Sequence, residues 1–224
     1  MDIGGKTYQA FIFDFDGVLA DSVEVKTQAF SSLFEAHGPK IREQVVAHHR
    51  SHGGMTRKEK FIHYHDRFLE TPLDEKGLER LCDRFSSLVV EKVIAAGEIK
   101  GAGAFLDRCR QENIPCFVDS ATPDNELERI LKQRHLDTYF KAALGSGRSK
   151  TDNLRWILDT HGLDSRDCLF FGDASSDRDA AKDCGVDFMG ILPGPDAPLL
   201  GIYPEIAWAR DFTRLEKGEI NGRT

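Results

Sequence analysis

Tyr8-Gln9-Ala10-Phe11-Ile12-Phe13-Asp14-Phe15-Asp16-Gly17 is an apolar run that breaks off into two acids and a glycine. A short run of this kind reads as a strand buried on both faces, as in a parallel sheet. Three later runs behave alike: Pro115–Val118 before Asp119-Ser120, Tyr139–Leu144 before Gly145, and Cys168–Phe171 before Gly172-Asp173. A weaker fifth covers Asp187–Leu192.

Helical patterns lie between them. Phe105, Leu106 and Cys109 share one face, as do Leu127, Ile130 and Leu131 after Thr122-Pro123, which reads as an N-cap followed by Pro at N1. Leu154, Ile157, Leu158 and His161 line a third helix stopped by Gly162, which makes His161 a core residue. Ala180, Ala181 and Cys184 line a short fourth one before Gly185. Strands alternating with helices predict a parallel α/β sheet with right-handed crossovers.

Residues 22–95 break the rhythm, because nothing there reads as a strand. Val25, Ala29, Leu33 and Ala36 mark a helix ended by Gly38-Pro39. Phe61, Ile62, His65, Phe68 and Leu69 mark another, ended by Thr71-Pro72. Leu78, Leu81, Cys82, Phe85, Leu88, Val89 and Val93 mark a long third one. The expected architecture is a Rossmann-like, doubly wound core of residues 1–21 and 96–224, with an all-helical cap inserted at 22–95. Pro193 to Trp208, with four prolines, reads as an irregular loop over the core.

Composition agrees with a globular chain: 224 residues, 40% hydrophobic and 30% charged. Thirty basic residues against 37 acidic ones leave a net charge of −7 with no basic cluster, which argues against nucleic acid. No run approaches the ~18 apolar residues of a membrane span, and Met1–Lys6 has no signal-peptide character. Five scattered cysteines without a C-x-x-C pair read as free thiols, and a cytoplasmic location is expected.

Ligands of open parallel sheets collect at the carboxyl ends of the strands. Here those ends bring Asp14 and Asp16, Ser120, then Asp173 and Asp177, with Lys150 at a helix start. Crowded carboxylates repel unless a cation joins them, and hard oxygen donors suit Mg²⁺. The hydroxyl and the lysine suit an anionic substrate, of which phosphate is the obvious case. Each piece alone has an ordinary explanation as a turn, a helix cap or a surface lysine; together they describe one crevice.

Asp14-Phe15-Asp16-Gly17-Val18-Leu19-Ala20-Asp21-Ser22 resembles the first motif of the haloacid dehalogenase superfamily. Val118-Asp119-Ser120-Ala121-Thr122-Pro123 is similar to its second, Ser149-Lys150-Thr151-Asp152 to its third, and Phe171-Gly172-Asp173-Ala174-Ser175-Ser176-Asp177 to its fourth. The third departs slightly, with Thr151 where many relatives carry Pro. The helical stretch resembles the cap of the subgroup containing phosphoglycolate phosphatase and β-phosphoglucomutase.

The resemblance implies a nucleophile at Asp14 and an acid–base residue at Asp16. It implies phosphate binding by Ser120 and Lys150, and Mg²⁺ held by Asp14, Asp16 through its carbonyl, Asp173 and Asp177. An acid at position 16 favours phosphate over halide chemistry. The expected activity is hydrolysis of a small phosphorylated metabolite, by a monomer or homodimer. The alternatives are a phosphosugar mutase, a phospho-signalling receiver and an inactive binding module. Arg57 and Lys60, after Gly53-Gly54 and a Thr56 cap, are the candidate cap contacts to substrate. Six of the eight histidines fall in the cap without a zinc-site pattern and read as surface or interface residues.

Overall fold

The computed structural model describes residues 1–222. A small hairpin, β1 (Asp2–Ile3) and β2 (Lys6–Thr7), precedes the first long strand, β3 (Ala10–Phe13). Four helices follow: α1 (Val23–Leu33), α2 (Pro39–Ser51), α3 (Arg57–Arg67) and α4 (Glu75–Ala95). Then come α5 (Ala102–Gln111), β4 (Cys116–Asp119), α6 (Asp124–Gln133), β5 (Phe140–Leu144), α7 (Lys150–His161), β6 (Cys168–Gly172), α8 (Ser175–Cys184) and β7 (Asp187–Ile191). The described chain closes with α9 (Pro198–Ile202), β8 (Trp208–Ala209) and α10 (Phe212–Glu216).

Six strands form one parallel sheet in the order β5-β4-β3-β6-β7-β8. Strand periodicity explains how it is covered on both faces. Ala10 and Ile12 of β3 point to one side, toward Leu154 and Ile157 of α7 and Ala180 and Ala181 of α8. Phe11 and Phe13 point to the other, where Phe105 of α5, Phe171 of β6 and Phe212 of α10 join them. The Phe13 and Phe171 rings stack at 5.2 Å between centroids. The chain runs outward from β3 through β4 to β5, then returns to β6 on the opposite flank. The topological switch therefore lies between β3 and β6, where such sheets place their ligands.

The inserted helices bury an aromatic core of their own: Phe30, Phe34, Phe61, Tyr64 and Phe85. The two chain crossings between insert and sheet are bonded side by side, with Asp21 N donating to the Gly97 carbonyl at 2.9 Å and Ile99 N to the Leu19 carbonyl at 3.1 Å.

Several sequence expectations need correction. The first inserted helix ends at Leu33, short of Ala36, and Gly38-Pro39 instead starts α2, with Pro39 in its first turn, because Pro is pre-set for that position. Ile62 is half exposed; α3 turns Phe61 and Tyr64 inward instead. Pro123, not Thr122, occupies the N-cap position of α6, with no side-chain cap bond. His161 is exposed and lies over the Phe117 ring at 4.7 Å rather than inside the core. The proline-rich stretch contains α9 and reaches β8, a sixth strand too short for periodicity to reveal. His49 is buried rather than on the surface. The five cysteines are free, and no described helix is long and apolar enough to cross a membrane.

Candidate active site

Asp14 follows the last residue of β3, and its backbone N–H donates to the Phe171 carbonyl of β6 at 2.9 Å. It is thereby fixed at the switch point. Gly17, at φ +82°, lets the next turn double back; a Cβ there would collide with the Asp173 carboxylate. Asp173 leaves β6 beside it. Asp177, in the first turn of α8, is fully buried and accepts from Asp173 N at 3.1 Å and Ala174 N at 3.0 Å. One carboxylate oxygen each from Asp14, Asp173 and Asp177 lies within 4.8 Å of the others. Lys150, the first residue of α7, donates to Asp14 at 2.9 Å and also to Asp177.

Electrostatics follows from that crowding. Burial, then the charges of Asp177 and Asp16, push Asp14 upward, with Lys150 opposing them. Burial and the neighbouring Asp14 and Asp177 also raise Asp173 well above the usual carboxylate range. Burial works against the Lys150 ammonium too, but Asp14, Asp177 and Asp119 outweigh it and hold the proton. Three carboxylates share a single ammonium. Hard, oxygen-only, negatively charged donors in excess fit a divalent cation, which would reverse these shifts. Among the described residues no histidine joins such a cluster; His48, His52 and His63 merely stack, with centroids 4.0 and 4.1 Å apart.

Asp16 sits in a different environment from Asp14. Its carboxylate accepts from Ser22 Oγ at 2.6 Å, Thr122 Oγ1 at 3.2 Å and the Lys26 ammonium. Burial opposes its charge, but Lys26 and these hydroxyls prevail and hold it below the usual range. Ser120 is buried at the end of β4, its Oγ accepting from Thr122 N at 3.2 Å. Lys26 and Thr122 were not among the site residues read from the sequence. Their roles depend on meeting residues 10 and 106 positions away, which no local pattern records.

Arg57 and Lys60 both line a cavity of about 650 Å³ together with Asp14, Asp16, Lys26 and Asp173. Arg57 has a partner that the sequence did not suggest. It makes a two-pronged pair with Glu126 of α6, at 2.8 and 2.6 Å, and a bond to Ser86 of α4 at 2.7 Å. Lys60 instead meets His49 and Gly53. Phe85, expected to be packing, is buried and also borders the cavity. The seam between helices and sheet is tight: a Cβ on Gly54 would collide with Ser176.

Residues 11–191 match the family model described as haloacid dehalogenase-like hydrolase. The chain is 29% identical over 196 residues to the phosphoglycolate phosphatase of Neisseria gonorrhoeae, covering 83% of this chain and 80% of that one. Among solved structures it resembles a predicted phosphoglycolate phosphatase from Haemophilus somnus, with TM-score 0.74, 17% identity, and 95% and 98% of the two chains covered. It also resembles β-phosphoglucomutase from Clostridium difficile, with TM-score 0.67, 20% identity, and 82% and 84% covered.

Proposed function

The chain belongs to the haloacid dehalogenase-like hydrolase family and is a phosphatase, and we propose that it is Mg²⁺-dependent and hydrolyses a small phosphorylated metabolite of the sugar phosphate or phosphoglycolate type through an aspartyl-phosphate. One observation carries this reading: Asp14 converges with Asp173, Asp177 and Lys150 at the switch point of the sheet, whereas Asp16, two residues on, is held apart from that cluster by Ser22, Thr122 and Lys26. Such a division assigns different chemical roles to neighbouring carboxylates.

Asp14 attacks phosphorus in line, forming its Oδ–P bond as the bond to the leaving oxygen breaks. Asp16 gives a proton to that oxygen, then takes one from the water that splits the aspartyl-phosphate and regenerates Asp14. Ser120 and Lys150 bind the phosphoryl oxygens. Asp14, Asp173 and Asp177, with the Asp16 carbonyl, would hold Mg²⁺, which when bound adds positive charge against the phosphoryl group. The inserted helices, residues 22–95, serve as the cap over residues 1–21 and 96–224, with Arg57 and Lys60 on its cavity side.

Glu126 favours hydrolysis over phosphoryl return. A mutase needs a second phosphate site, and the candidate, Arg57, already has its charge matched by that carboxylate. Phosphate release from a panel of metabolite phosphates, with Mg²⁺ and with EDTA, tests the proposal. Release that EDTA abolishes is the expected result; turnover appearing only with a sugar bisphosphate would establish the mutase instead.

Lys26 provides a second test. It joins the first cap helix to Asp16, and its Nζ also donates to Thr122 Oγ1 at 2.9 Å. Lys26→Met frees the Asp16 carboxylate to reorient, so kcat should fall ~10²-fold, within the usual contribution of acid–base catalysis, with KM little changed. An unchanged kcat would remove Lys26 from the proton-handling set.

A further inference from the structure

A charge set into a cavity wall is costly unless a partner neutralises it. Around this site the other deeply placed cations have carboxylates. Lys26 has Asp16, Lys150 has Asp14 and Asp177, and Arg57 has Glu126. Lys60, only 2% exposed, has none among the described residues. Its Nζ meets two neutral acceptors, His49 Nδ1 at 2.9 Å and the Gly53 carbonyl at 3.5 Å. An ammonium has three hydrogens, so one is left over.

The surroundings hold Lys60 in place without neutralising it. The Phe30 ring lies 5.6 Å from its Nζ, and the buried His49 ring packs on Phe30 at 4.8 Å. His49 Nε2 has no partner among the described residues either. Burial, then the nearby charge of Lys26, push Lys60 down to about 7, whereas Asp173 and Asp16 pull the other way across the cavity. Helices α2 and α3 thus present to the cavity an amine that has no anionic partner among the described residues and that a bound anion would hold protonated.

Building on the phosphatase reading, we propose that Lys60, positioned by His49, binds the carboxylate of a phosphate monoester whose leaving group is a short carboxylic acid. One ammonium matches the single charge of a carboxylate. A second phosphate, with two charges, would need Arg57, which Glu126 holds. A neutral sugar would leave the ammonium unpaired.

Non-hydrolysable probes separate this proposal from the phosphatase reading, since they bind whether or not turnover occurs. The probes are 3-phosphonopropionate, n-propylphosphonate, in which a methyl replaces the carboxylate, and ethane-1,2-bisphosphonate. Their affinities are measured by calorimetry on the full chain with Mg²⁺. The wild type should bind 3-phosphonopropionate at least ~30-fold more tightly than propylphosphonate, as expected of a buried charge pair. Lys60→Met should reduce that preference to within ~3-fold while leaving propylphosphonate affinity unchanged. Equal wild-type affinities would overturn the proposal without recourse to any variant. So would equal weakening of both ligands by Lys60→Met, or tighter binding of the bisphosphonate than of the carboxylate. A protein that shows the preference but releases no phosphate from the metabolite panel would keep the carboxylate site and lose the phosphatase mechanism.

Discussion

Asp14→Asn lowers turnover at least ~10³-fold while the protein stays folded, because the amide keeps the shape of the side chain but is not a nucleophile toward phosphorus. The structure also sets the sign of the stability change. Asp14 is one of three carboxylates around a single ammonium, and Lys150 keeps Asp177 as a partner when Asp14 is gone. Removing one negative charge relieves repulsion, so the metal-free variant should melt no lower than the metal-free wild type. Turnover and thermal melts of the two proteins check both parts. Near-normal turnover would remove Asp14 as nucleophile; a large drop in melting temperature would mean that it is chiefly structural.

Lys150→Met combines loss of activity with a large loss of stability. The ammonium is the buried counter-charge of Asp14 and Asp177 and acts on Asp119 as well. Deleting one member of a buried ion pair usually costs about 3–5 kcal/mol, because the remaining charges stay desolvated. In the metal-free variant the deficit should shrink on acidification. Asp14 and Asp173 have folded-state pKa values raised above those of the unfolded chain. The folded state therefore takes up protons as pH falls, and stability declines as pH rises through that window. Mg²⁺ should raise the variant's melting temperature more than the wild type's, since a cation then replaces the missing charge. Melts across pH, with and without Mg²⁺, decide it. A variant as stable as the wild type at neutral pH without metal would show that Lys150 is not the counter-ion.

The strands were legible because burial on both faces writes a continuous apolar run, and the sheet then needed only alternation with helices. Asp14, Ser120 and Asp173 stood out because each ends such a run. Elements lacking a local signature were missed. Helix α2 begins at a Gly-Pro that equally well reads as a stop, and β8 has two residues. Thr122 has the composition of a helix cap, and its bond to Asp16 is invisible until β3 and β4 lie side by side.

The amino-acid sequence by itself determined the parallel sheet, the helical insertion and which acids end its strands. Those properties depend on side-chain type and near-neighbour spacing. Tertiary structure alone decided which charge meets which. Arg57 and Glu126, 69 positions apart, or Lys60 and His49, on separate helices, are paired only by how the insert packs on itself and on the sheet. A buried charge draws its energetics from what lies within a few ångströms. Lys26, Arg57 and Lys150 thus have counter-ions within the chain, whereas Lys60 has none among the described residues.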